Sequence, residues 1–188
     1  MDIVGATVGL LALCPFLILI GALIRLESRG PAIFRQRRTG HRGVPFVIYK
    51  FRTMRALEDG PSVVQACRGD SRVTRLGALL RRTSIDELPQ LINILRGEMS
   101  LVGPRPHALS HDEYYGALIS DYKVRFLAKP GLTGLAQVSG LRGETRDVSA
   151  MQERVAHDLQ YIRSWSLHLD LSILIKTFLI GPLHPSAY

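Results

Sequence analysis

The sequence predicts an α+β fold, mostly helical, held at a membrane by its N-terminus, with interfacial amphipathic helices and a small β element. Three observations predict it. Ile3–Ile24 is an apolar run of 22 residues, apolar residues recur at helical spacing in several later segments, and one short run at Phe46–Phe51 is β-branched and aromatic. With 188 residues the chain suits one compact body. A content of 46% hydrophobic and 21% charged residues excludes a disordered chain.

The apolar run comes first. A straight helix of that length would be ~33 Å long, enough to cross a hydrocarbon core. Asp2 precedes it and no cleavage-site pattern follows, which argues against a secretory signal. Pro15 sits near its middle and removes one backbone donor. Two readings are open from the residues: a bitopic helix with a tolerated kink, or a re-entrant segment whose ends share one membrane face. Arg25, Arg29, Arg35, Arg37, Arg38 and Arg42 follow at once, placing this flank on the cytoplasmic side and near anionic lipid.

Beyond Gly30-Pro31, Phe46–Phe51 is expected as a strand and residues 56–72, with Gly60-Pro61 and Gly69, as a loop. Arg75–Arg82 is expected as a short basic helix, and Ser84–Arg96 as another closed by Gly97. Ser100–Pro106 reads as extended, turning at Gly-Pro; Ser110–Leu127 reads as helical; Lys129–Gly134 reads as a type II turn. Met151–Trp165 is a helix carrying Val155, Leu159 and Ile162 on one face. Leu167–Leu183, interrupted by His168, Asp170 and Lys176, is an interfacial amphipathic helix or one packed on the core.

Charge narrows the function. Lys and Arg number 24 against 16 Asp and Glu, a net charge of +8, and only Lys50, Lys123, Lys129 and Lys176 are lysines. Arginine forks onto phosphate, so the surplus points to a phosphate-bearing partner. Two cysteines, Cys14 and Cys67, exclude a disulfide framework and a cysteine-cluster zinc site. No dinucleotide fingerprint, P-loop, metalloprotease spacing, serine elbow, zinc finger or aromatic nucleic-acid signature is present.

The densest chemistry lies at Arg81-Arg82-Thr83-Ser84-Ile85-Asp86-Glu87-Leu88-Pro89-Gln90. Ser84 and Glu87 have the spacing of a capping box. Against that reading stand the two arginines beside two carboxylates at a helix start, where exposed N–H groups favour anions. Adjacent carboxylates can divide labour, one attacking phosphorus and the other holding a divalent cation over phosphate oxygens. In Gly103-Pro104-Arg105-Pro106 two prolines fix the backbone around one arginine suited to phosphate. Lys50 in Lys50-Phe51-Arg52-Thr53-Met54, and Arg142 in Leu141-Arg142-Gly143-Glu144-Thr145, are weaker candidates of that kind. Asp170 is either a polar-face residue or a buried acid paired with an active-site cation.

Taken in order, these segments are specific. They are the apolar entry with Pro15; Tyr49–Met54; Ser84–Gln90; Met99-Ser100-Leu101-Val102-Gly103-Pro104-Arg105-Pro106; Lys129–Val138; and the late Leu169-Asp170. The chain resembles the bacterial sugar transferases, the monotopic phosphoglycosyl transferases, over nearly its whole length. The resemblance implies transfer of a sugar 1-phosphate from a UDP-sugar to undecaprenyl phosphate with release of UMP. It implies a re-entrant membrane helix broken at Pro15, over residues 1–28, and a catalytic domain over residues 29–188 at the cytoplasmic face of the bacterial inner membrane. It makes Asp86 the nucleophile of a covalent phosphosugar intermediate and Glu87 the ligand of Mg²⁺. Arg81, Arg105 and Asp170 fall on further active-site positions, and Arg142 stands one place beyond the arginine of smaller members. The expected partners are the UDP-sugar, undecaprenyl phosphate and membrane lipid, with a homodimer left open and no nucleic acid. The Arg142–Thr145 and Trp165–Leu167 stretches resemble the exopolysaccharide and O-antigen branch, which moves glucose or galactose 1-phosphate. The rival function is a non-enzymatic basic membrane adaptor, which explains the anchor and the charge but not the carboxylates beside two arginines.

Overall fold

The computed structural model describes residues 1–55, 69–141, 143, 145 and 147–180. Helix α1, Asp2–Glu27, opens the chain and runs without interruption through Pro15. The expected break at Pro15 is therefore not a reversal of the chain. Proline removes a single i→i−4 bond, and the helix continues on both sides of it. Both ends of α1 are fastened to the same body. Near the start, Asp2 Oδ1 accepts from Leu101 N (3.2 Å), and Ala6 and Leu10 pack with Leu91, Ile94 and Met99. Gly5 permits this approach, since a Cβ there would meet Leu101 Cδ1 at 2.8 Å. Near the end, Leu17, Ile20 and Ile24 pack with Phe51 and Leu80.

Buried Arg52 closes the C-terminus of α1. Its guanidinium donates to the carbonyls of Arg29 (2.5 Å), Ser28 (2.7 Å) and Ile24 (3.3 Å). A cation over exposed helix-end carbonyls satisfies orphan acceptors and opposes the negative end of the helix dipole.

Strands β1 (Ile33–Thr39) and β2 (Pro45–Phe51) form an antiparallel hairpin, with Ile33 opposite Phe51 and Thr39 opposite Pro45. The expected strand at 46–51 is present. Its partner lies in the arginine-rich stretch, where no apolar alternation announces a strand. The hairpin ladder supplies the pairing instead, and Gln36 alone of the four residues 35–38 is fully buried.

Helix α2 (Arg75–Thr83) is capped by Thr74, whose Oγ1 accepts from Gly77 N (2.9 Å). The expected single helix over 84–96 is instead two pieces, a 3₁₀ segment at Ile85–Gln90 and the short α3 (Leu91–Leu95). Ser84 takes a left-handed conformation (φ 58°) that separates them from α2, and Pro89 stands within the 3₁₀ segment. Gly97, with φ 75°, turns the chain after α3 as expected.

Strand β3 (Ser100–Val102) pairs in parallel with β4 (Gly131–Thr133). The type II turn expected at 129–134 is thus replaced by extended chain: Gly131 pairs with Ser100, and Pro130 O accepts from Ser100 N (2.9 Å). The expected helix over 110–127 is α4 (Leu109–Leu118) followed, after residues 119–121, by a 3₁₀ segment at Tyr122–Leu127. Helix α5 is Leu135–Val138, and α6, Val148–Arg163, starts on an Asp147 cap. Met151, Val155 and Leu159 of α6 pack with Tyr115 and Tyr122.

Helix α7 (Leu167–Ile180) buries Asp170 and Ile173 and turns Leu167, Leu171, Ile175, Phe178 and Leu179 outward. Ile92 and Leu95 of α3 are also exposed, as are Ile3, Val4, Val8, Leu11, Ile18 and Leu19 of α1. Helix α1 is long and apolar enough to cross a membrane, and only 11% of its most apolar window is buried.

Candidate active site

The site is assembled from β2, the 3₁₀ segment after α2, and the turn after β3. Lys50, on β2, reaches Glu87 in the 3₁₀ segment (Nζ–Oε1 2.7 Å). Arg105, in the Pro104-Arg105-Pro106 turn, forks onto the same carboxylate: Nη1 to Oε2 is 3.0 Å and Nη2 to Oε1 is 2.5 Å. A bidentate guanidinium–carboxylate pair fixes both orientation and charge. The capping box is not formed. Ser84 makes no side-chain cap bond, and Glu87 spends its carboxylate on two cations instead of on the backbone.

Burial pushes the Glu87 carboxyl up, but Arg105 and Lys50 outweigh it and hold the group well below the usual range. Glu87 is therefore a fixed anion. Asp86 behaves oppositely. Burial and the adjacent Glu87 charge push it up to about 6, against the pull of Lys50, Arg81 and Arg105. Asp86 is half-buried and Glu87 buried. Two neighbouring carboxylates are thus driven apart in proton affinity, the pattern of a pair with different tasks. Burial lowers the Lys50 ammonium, against the opposing pull of Glu87.

Lys50, Arg81 and Arg105 oppose the charges of Asp86 and Glu87, three cations against two carboxylates, so the site favours a further anion. The structure brings Asp86, Glu87, Lys50 and Arg105 together, with the Arg81 charge felt at Asp86. It does not bring Asp170 to them. Asp170 is a buried acid, and its Oδ1 accepts from Tyr161 OH (2.8 Å) and its Oδ2 from Trp165 Nε1 (3.2 Å). Tyr161 OH also lies 3.2 Å from Val102 O, so Asp170 braces the strand that leads into the Arg105 turn. Arg142 lies outside the described residues. Pro15 stands inside α1.

Sequence reasoning missed the residues that hold these elements in place. Asn93 is wholly buried; its Oδ1 accepts from Tyr49 N (3.0 Å) and its Nδ2 donates to Val47 O (2.7 Å), tying α3 to β2 beside Lys50. Arg125, also buried, donates to Arg105 O (2.7 Å) and to Asp158 Oδ2 (2.6 Å). Neither stands in a motif, and their partners are distant in sequence.

The model of the family described as bacterial sugar transferase matches residues 1–181. The chain belongs to the bacterial sugar transferase family. It is 58% identical over 177 residues, 94% of its own chain and 66% of the relative, to a UDP-glucose:undecaprenyl-phosphate glucose-1-phosphate transferase of Caulobacter vibrioides. It is 50% identical over 187 residues to an Escherichia coli (strain K12) protein of that same description, covering 100% of this chain and 40% of that relative. A UDP-N-acetylgalactosamine-undecaprenyl-phosphate N-acetylgalactosaminephosphotransferase of Aeromonas hydrophila is 40% identical over 177 residues, 94% of this chain and 41% of the relative. The chain therefore spans from two-fifths to two-thirds of the length of these curated relatives.

Proposed function

We propose that this chain transfers a sugar 1-phosphate, with glucose 1-phosphate as the first cargo to test, from a UDP-sugar to undecaprenyl phosphate. The observation that carries this reading is the split carboxylate pair: Glu87 locked as an anion between Lys50 and Arg105, and Asp86 half-open beside it with its carboxyl raised to about 6. Near neutral pH Asp86 is largely ionised yet retains a higher proton affinity than an ordinary aspartate, which suits a nucleophile.

In this mechanism an Asp86 carboxylate oxygen attacks the phosphorus that carries the sugar. A bond forms between Asp86 and phosphorus, the bridging phosphorus–oxygen bond breaks, and UMP leaves with the bonding pair. A phosphate oxygen of undecaprenyl phosphate then attacks the same phosphorus and returns the Asp86 carboxylate. Arg81, Arg105 and Lys50 offset charge on the phosphate oxygens, and the prolines around Arg105 keep it from relaxing away.

The residues also fit a divalent cation. Lys50 and Arg105 take both lone pairs of Glu87 Oε1, while only Arg105 takes one on Oε2, so Oε2 retains one for a metal. Among the described residues no cluster of three or more metal-binding side chains exists, so donor phosphates would complete the coordination. Glu87 would hold Mg²⁺, and the ion would neutralise the transferring phosphate.

We place the protein on a membrane through α1, the outer stripe of α7 and the exposed Ile92 and Leu95 of α3, with the catalytic body at the cytoplasmic face of the inner membrane. The fastening of both ends of α1 to one body supports a helix held with that body on its own side of the membrane rather than one crossing alone to the far side. As a test, purified protein is given UDP-glucose and Mg²⁺ without lipid. One equivalent of UMP per protein, followed by steady release once undecaprenyl phosphate is added, is the expected result. No UMP without lipid would count against the two-step route, and none with lipid, across a panel of UDP-sugars, against the activity.

A further inference from the structure

The turn Pro104-Arg105-Pro106 has an unusual support. Its two prolines have no N–H, so hydrogen bonds can hold those residues only through their carbonyl groups. All three consecutive carbonyls are taken, each by a different element. Pro104 O accepts from Gly131 N of β4 (2.9 Å), Arg105 O from Arg125 Nη2 (2.7 Å), and Pro106 O from Arg38 Nη1 of β1 (3.3 Å). Of the three donors, Arg125 is the one that grips the residue whose side chain reaches Glu87.

Arg125 is itself fixed on every side. It is 2% exposed; its Nε and Nη2 donate to Asp158 Oδ2 (3.1 and 2.6 Å), and its guanidinium lies 5.1 Å over the Tyr122 ring. Its Nη1 lies 2.7 Å from His107 Nδ1. Burial, together with Arg125, Arg154, Arg38 and Arg105, holds the His107 imidazole well below its usual range, so the ring is neutral. Since Arg125 can only donate, Nδ1 is the accepting nitrogen. The same guanidinium thus holds the backbone of residue 105 and the side chain of residue 107, on either side of Pro106.

We infer that Arg125 is a positioning residue for phosphate transfer: anchored by Asp158, it fixes the backbone of Arg105 so that the Arg105 guanidinium faces Glu87 and the donor phosphates. Lysine could not replace it, because one ammonium lacks the planar fork that spans Asp158, Arg105 O and His107 at once. The inference rests on the proposed function in one respect, that Arg105 holds a donor phosphate.

The test is a double-mutant cycle read by calorimetric binding of UDP, in Mg²⁺ buffer, to the full chain. Arg105→Ala should weaken UDP at least tenfold. Arg125→Lys should weaken it several-fold in the native background but less than twofold when Arg105 is already alanine. Asp158→Asn, which retains the shape and an acceptor, goes through the same cycle, so a poorly folded Arg125→Lys still leaves a result. An equal loss from Arg125→Lys and Asp158→Asn on both backgrounds, or no loss on either, would overturn the positioning role. If Arg105→Ala leaves UDP affinity unchanged, the fault lies instead with the assignment of Arg105 to the donor.

Discussion

At the scale of the residue, the proposed chemistry turns on Asp86 and Glu87 having opposite fates one position apart. Asp86 carries the raised carboxyl beside a fixed anion, so removing its charge should relieve repulsion. Asp86→Asn should abolish UMP release while thermal unfolding stays level or moves up; turnover within tenfold of the parent would contradict the nucleophile assignment. The pH dependence has a definite sign. A group raised from 3.8 to about 6 is protonated below that value, and the protonated carboxyl is a poor nucleophile. UMP release should therefore fall about tenfold per unit below pH 6, and Asp86→Asn should have no such limb. For stability the raised group works in reverse: the folded state holds this proton more tightly than the unfolded one. Its contribution is fully present below the unfolded value of 3.8 and is lost as pH climbs through about 6. Glu87→Gln leaves Lys50 and Arg105 without their anion. It should lower unfolding stability by about 1–3 kcal/mol and blunt the Mg²⁺ dependence of transfer. An unchanged Mg²⁺ titration would remove Glu87 from the metal.

At the scale of the element, what was legible in the sequence was what local residues decide. The Asp86-Glu87 pair, the Arg81 beside it and the Arg105 turn could all be read, because each sits in a short dense motif. The meeting of Lys50 with Glu87 could not, since 37 positions separate them, nor could Arg125 with Asp158, which are 33 apart. Strand β1 was hidden because Arg35, Arg37 and Arg38 break any apolar alternation; β2 supplies its order. The capping box failed because two half-buried cations compete for Glu87 more strongly than a backbone N–H. Arg52, two residues beyond Lys50 in the same short motif, serves as the closure of α1. Arg52→Ala should lower thermal stability and raise proteolytic cleavage near residues 28–32. Equal cleavage rates would show that the apolar contacts of Ile20 and Ile24 suffice to hold that end.

At the scale of the whole molecule, polar chemistry faces inward and apolar residues face out along α1, α3 and α7. Exposed apolar stripes of this kind fit the membrane placement proposed above. Phe178→Asp, on the outer stripe of α7, should reduce partition into anionic vesicles severalfold without shifting thermal unfolding in detergent; undiminished partition would take α7 off the membrane. Tags at both ends should remain protected from protease in intact cells. Digestion of the N-terminal tag from outside would make α1 a spanning helix. The central claim, however, is covalent. The protein is incubated with UDP-sugar and Mg²⁺ in the absence of lipid, quenched, digested and weighed by mass spectrometry. A sugar phosphate attached to Asp86, which disappears when undecaprenyl phosphate is added, is the expected result. A working enzyme whose Asp86 peptide never carries that mass would contradict it.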